Sequence, residues 1–156
     1  MISLPKRRNA FSLVELVVVV VILGVIAAIA IPRMSRGAAG ATDSGLASDL
    51  AIMRNAIEVY RAEHQGNYPT VANFEDQMTL YTDVDGNTNA SKTGDFIFGP
   101  YIAGIPTLKV GANKGENGVA AATGATVGWI YDEDAGTIRA NTTTETDERG
   151  TLYSAY

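Results

Sequence analysis

Residues 6–32 read KRRNAFSLVELVVVVVILGVIAAIAIP, and this stretch decides the architecture of the N-terminal part. From Phe11 to Ile31 the chain is apolar except at Ser12 and Glu15. That is about 21 residues, or ~31 Å as an α-helix, enough to cross a bilayer's hydrocarbon core. The valine block from Val17 to Val21 favours a strand in water, because β-branched side chains are stiff at χ1. In lipid a lone strand leaves its backbone groups unsatisfied, whereas a helix bonds them internally. The stretch predicts a helix.

Three readings of that helix stay open on length and hydropathy. Lys6, Arg7 and Arg8 form a basic leader, and Ala28-Ile29-Ala30 has the pattern of a signal-peptidase cut. The same basic flank suits an uncleaved anchor that holds a domain outside the cytoplasm. In the third reading the cut falls earlier, between Ala10 and Phe11, and the span stays on the mature chain. Glu15 separates them. A carboxylate costs roughly 2.5–3.5 kcal/mol at the bilayer centre and less near the interface. A cut after Ala10 frees an α-amino group four residues upstream of Glu15. In a stack of helices, the amine of one subunit meets the carboxylate of the next. Each charge then offsets the desolvation of the other, and the pair sets the axial register. A snorkelling glutamate with no partner is the simpler alternative.

At these residues the chain resembles the class III signal peptide of type IV pilins and type II secretion pseudopilins. The resemblance runs from about Lys6 to Met34. It comprises a basic leader, a small residue at the cut, Phe-Ser-Leu-Val-Glu, and a long apolar helix with Gly24 and Pro32 in place. The one departure is Ala10, where the family usually has glycine. The resemblance implies cleavage after Ala10 by a prepilin peptidase and methylation of the Phe11 amine. The subunit then enters a homo-oligomeric filament, drawn from the bacterial inner membrane by an assembly ATPase and platform protein. Minor pseudopilins are implied as further partners. Gly24 and Pro32 bracket the part that loses helicity when such subunits pack. Glycine is a weak helix former and proline removes a donor, while Gly24, Ala27, Ala28 and Ala30 allow close helix approach.

Past Pro32, the run SRGAAGATDSG (35–45) reads as loose. Leu46, Leu50, Met53, Ile57 and Tyr60 are then spaced by four or three, a helical face on which a C-terminal domain packs. Arg54 and Glu58 form an i,i+4 pair of tenths of a kcal/mol, and Gly66 with Pro69 ends the helix. His64, the only histidine, has no second ligand or triad companion nearby in sequence and reads as a solvated residue of the last turn.

The divisions expected are a cleaved leader (1–10), a membrane and assembly helix (11–32), an amphipathic second half (33–67) and a globular domain (68–156). The fold class is α+β: a long N-terminal helix packed on a small antiparallel sheet. Residues 125–142, ATVGWIYDEDAGTIRANT, read as a hairpin with Val127, Trp129 and Tyr131 alternating, and TLYSAY (151–156) as an added strand. Gly99-Pro100-Tyr101-Ile102 and the Trp-Ile-Tyr-Asp string resemble segments of major pseudopilins.

Asp83, Asp85, Asn87 and Asn89 alternate around Gly86. Such oxygen ligands suit calcium, although the spacing is not that of an EF-hand and an Asx-rich turn uses the same residues. Many major pseudopilins hold calcium nearer the C-terminus. The matching region here, residues 109–124, has Glu116 as its sole acid.

Net charge is −5, and leaving out the three leader cations puts −8 on the remainder. Nucleic acid is not an expected partner of so acidic a chain. Cysteine is absent, and no P-loop, G-x-S-x-G or H-E-x-x-H motif occurs, so no enzyme is expected. The function implied is that of a structural subunit of a helical pseudopilus in type II protein secretion, its domain periplasmic. A type IV pilus for adhesion, motility or DNA uptake is the near alternative, and an anchored or secreted binding module the distant one.

Overall fold

The structure, a computed structural model, describes residues 12–156 apart from the side chains at positions 32 and 34–36. Helix α1 runs from Leu13 to Glu63, and the chain divides into two units after Ala38.

In the first unit the described residues from Leu13 onward are all helical. Its stretch Leu13–Ile31 has a mean hydropathy of 3.1 and buries none of its residues within the chain. It is long and apolar enough to cross a membrane. Helix continues through positions 24 and 32. The run 35–45, expected to be loose, is helical as well. Alanines at 38, 39 and 41 are strong helix formers, and elongation of an existing helix is far easier than nucleation.

In the second unit the predicted stripe is the core. Leu46, Leu50, Met53, Ile57 and Tyr60 are all buried, together with Phe74, Met78, Leu108, Trp129, Tyr131 and Ile138. Fully burying one such side chain contributes about 1.5–3 kcal/mol. Helix α1 stops at Glu63, and Gln65 and Gly66 turn the chain through positive φ of 59° and 89°. A 3₁₀ turn (Val71–Asn73) leads into helix α2 (Phe74–Thr79). A two-residue ladder, β1 (Tyr81–Thr82) with β2 (Thr88–Asn89), follows.

The second sheet has the order β3–β4–β5, from Gly118–Ala120, Val127–Asp132 and Thr137–Ala140. Strands β4 and β5 are the expected hairpin, with Trp129 opposite Ala140 and Asp132 opposite Thr137. Its alternation is incomplete, because Ile130 is buried alongside Trp129 and Tyr131. Two expectations change here. The third strand is β3, and it lies parallel to β4 with a register shift between Gly118 and Val119, so the sheet is mixed. The terminal TLYSAY instead forms a single Thr146–Leu152 bridge and a 3₁₀ turn. It is anchored by side chains, Tyr153 Oη donating to Asp43 (2.8 Å) and Tyr156 Oη to Asp147 (2.8 Å).

Arg54 does not pair with Glu58. Its guanidinium donates to the Ile138 carbonyl (3.1 Å) and to the main-chain oxygen of Tyr156, tying α1 to β5 and the last turn. Glu58 sits instead beside Arg61 (3.4 Å). A partly buried carbonyl is worth more to a guanidinium than an exposed carboxylate is.

Candidate processing and assembly site

Ala10 and Phe11, which carry the expected cut and the methylated amine, lie outside the described residues. The description begins at Ser12, whose carbonyl accepts the Leu16 amide (3.2 Å), as an N-cap residue does. Glu15 therefore occupies the first turn of α1, where the helix dipole favours a negative charge. Its side chain is exposed, and no ion pair reaches it among the described residues. Ser12-x-x-Glu15 also has the spacing of a capping box, in which the glutamate turns back to the N-cap amide.

Around it every large apolar side chain from Leu13 to Ile31 is 45–78% exposed. The helix thus presents greasy surface on all sides with one acid near its start. At Gly24 a Cβ would meet nothing within 4 Å, so within one chain no neighbour requires a glycine there. The backbone at position 32 is helical.

The family described as the prokaryotic N-terminal methylation motif matches residues 5–31. Over those residues the chain is similar to the class III signal peptides of type IV pilin-like proteins. No curated protein and no solved structure gives a significant match. The motif implies processing by a prepilin peptidase and assembly from the membrane into filaments. It encloses four of the residues singled out in the sequence, Ala10, Phe11, Glu15 and Gly24, and stops just before Pro32.

Elsewhere in the chain the acids act mainly as local clasps. Asp83 Oδ1 accepts the amides of Asp85 (3.0 Å) and Asn87 (2.9 Å), and Oδ2 accepts the Asn87 side-chain amide (2.8 Å). That side-chain bond, against some desolvation, holds the Asp83 carboxyl below its ordinary pKa. The loop turns N–H donors toward Asp83, the reverse of a cation cage, and a calcium ion at Asp83 and Asp85 would have to displace them. Among the described residues no three of His, Cys, Asp or Glu converge to hold a metal.

Glu145 is a clasp the sequence reading missed. Its carboxylate accepts the amides of Thr143 (2.9 Å), Ala112 (3.1 Å) and Thr144 (3.0 Å), and these bonds, Thr143 first, pull its pKa down to about 2. The region 109–124, poor in acids of its own, thereby borrows one from the C-terminal loop.

His64 is buried, 1% exposed, rather than solvated. Nδ1 lies 2.8 Å from the Tyr60 carbonyl and Nε2 3.0 Å from Thr82 Oγ1. Its ring stacks on Tyr60 at 3.7 Å between centroids. Beside it Tyr101 Oη donates to Glu63 (2.7 Å), and burial keeps that phenol neutral by raising its pKa.

Proposed function

We propose that this pilin-like protein is a structural subunit of a helical filament, and specifically a pseudopilin of a type II secretion apparatus. The observation that carries the reading is the methylation motif at the head of a helix whose apolar surface its own chain leaves bare. Membrane lipid covers that surface before assembly, and the same helix of neighbouring subunits covers it afterwards. In this reading the Phe11 amine meets Glu15 of the adjacent copy, and growth driven by the cytoplasmic ATPase pushes cargo outward. The subunit sits in the inner membrane with residues 39–156 in the periplasm. It has no catalytic role and no resident cofactor.

The absence of cysteine, and hence of a C-terminal disulfide loop, together with the small sheet, supports a pseudopilus over a type IV pilus. Mass spectrometry of the mature protein tests the core of this. A chain that begins at N-methylated Phe11 is expected. A chain that begins at Ile31 means signal-peptidase cleavage after Ala30, and it removes the filament reading.

A further inference from the structure

His64 is a buried titratable ring just past the end of α1, and the filament reading makes no use of it. Its Nδ1 faces the Tyr60 carbonyl. A carbonyl only accepts, so Nδ1 carries a proton whatever the charge of the ring. Nε2 faces the Thr82 hydroxyl, which donates or accepts. The state of Nε2 therefore decides which way that hydroxyl points.

On its other side the Thr82 hydroxyl meets Tyr101 Oη, and Tyr101 Oη donates to Glu63 (2.7 Å). Thr82 has a single hydroxyl proton to give. With His64 neutral that proton goes to Nε2, and none lies between the Thr82 and Tyr101 oxygens. With His64 charged, Nε2–H donates to Thr82, Thr82 to Tyr101 and Tyr101 to Glu63. Every donor in the series then meets an acceptor, and it runs from an imidazolium to a carboxylate.

Burial opposes an imidazolium, and acids facing it offset that cost. Glu63 and Tyr60 face the ring from α1, and Tyr101 faces it from the segment after Phe98. His64 also borders a cavity lined by Tyr68, Asp85, Glu133 and Asp134, with no lysine or arginine in its lining. Asp83 is close enough to act on Tyr60. The cation of Arg61 sits over the Tyr68 ring at 4.9 Å.

We propose that His64, Thr82, Tyr101 and Glu63 form a proton-operated latch, in which a proton taken up at Nε2 reverses the Thr82 hydroxyl and completes a hydrogen-bonded series to Glu63. The proton comes from solvent and binds the Nε2 lone pair, and the only other change is rotation of the Thr82 O–H. Thr82 belongs to β1 and exchanges main-chain hydrogen bonds with Phe98 (3.1 Å each). The latch thus seats β1 and the segment from Phe98 to Tyr101 more firmly on α1 once the ring is charged. It stands on the domain alone and does not rest on the filament reading.

The test is NMR of the full chain in detergent micelles across pH, with labels at the His64 ring nitrogens, tyrosine Cζ and glutamate Cδ. The single histidine makes the ring signals unambiguous. Above the transition the proton is expected on Nδ1 with Nε2 bare, and below it on both. Tyr101 Cζ should move with the ring, and the Thr82 and Phe98 amides should gain protection, corrected for intrinsic exchange. Thr82→Val removes the hydroxyl while keeping the shape, so His64 should still charge while Tyr101 Cζ loses its response. Tyr101→Phe should likewise remove the Glu63 Cδ response, and it carries the test if Thr82→Val misfolds. A neutral ring protonated at Nε2, or a ring that stays neutral until the domain unfolds, overturns the proposal. So does a Tyr101 signal that ignores the ring, or amide protection that does not rise. Variants that respond as fully as the parent overturn it too, since a through-space field needs no relay.

Discussion

Arg54 and Glu145 show how far a single side chain's role depends on what lies across from it. Arg54 has an acid one helical turn away, yet it reaches 84 residues on to the Ile138 carbonyl. Removing it leaves the partly buried Ile138 carbonyl unmet, so Arg54→Ala should destabilise the domain by about 1.5–3 kcal/mol. Glu58→Ala, at an exposed pair, should change it by less than ~0.5 kcal/mol. Denaturant unfolding of the two variants distinguishes them, and equal losses mean that the helical pair matters after all. Glu145 gives the pH dependence. Its pKa falls from an ordinary 4.5 to about 2 on folding. A depressed carboxyl stabilises the fold fully above its unfolded value and ceases to do so as pH falls through its folded value. Its contribution therefore fades between pH 4.5 and about 2. Glu145→Gln keeps one acceptor oxygen and loses the titration, so its unfolding midpoint should vary less with pH across that window than the parent's.

Among the elements, the hairpin was readable because its strands alternate and its turn is polar, but the sequence does not reveal what supports that turn. Gly136 adopts φ 65°, and a Cβ there would fall 2.2 Å from Tyr68 Cε1. The ring lies directly on the turn, and Arg61 sits over it at 4.9 Å. Gly136→Ala should cost about 2–4 kcal/mol, from left-handed strain plus the clash. Tyr68→Leu in that background should lose less than the sum of the single changes, because the clash is already relieved. Additive losses in thermal unfolding would falsify the steric account. The stripe on α1 was legible for the same reason as the hairpin, namely periodicity. The stripe extends one step beyond its apolar residues: His64 lies four residues beyond Tyr60, and it is buried there. Strand β3 gave no such signal, since three residues paired in parallel with a register shift are too short to show a period. Residues 35–45 misled in the other direction. Their glycines suggested a break, but local propensity is weak beside the cooperativity of a helix already formed on both flanks.

For the whole molecule, the sequence alone made the division of labour plain: a bare apolar helix with one acid at its head, and a separate acidic domain. Glu15 stands out as a candidate assembly residue because burying a charge in lipid is so costly that its presence requires a reason. Two reasons compete at Glu15. It can complete the helix start with Ser12, a role inside one chain, or it can neutralise the Phe11 amine of a neighbour. The two roles demand different chemistry. A capping box accepts glutamine in place of glutamate, whereas a charge pair does not. Glu15→Gln should therefore leave membrane insertion and cleavage at Phe11 intact. If the charge pair governs assembly, filament yield should fall about tenfold or more, since ~1.4 kcal/mol at each interface already changes an association constant tenfold and the contact recurs with every subunit added. Glu15→Val, which removes both roles, should assemble no better. Electron microscopy of sheared filaments, with immunoblots for processed subunit in the membrane, measures both quantities. Full-length filaments from Glu15→Gln together with none from Glu15→Val would assign Glu15 to the helix start and leave subunit register to packing of the apolar surfaces.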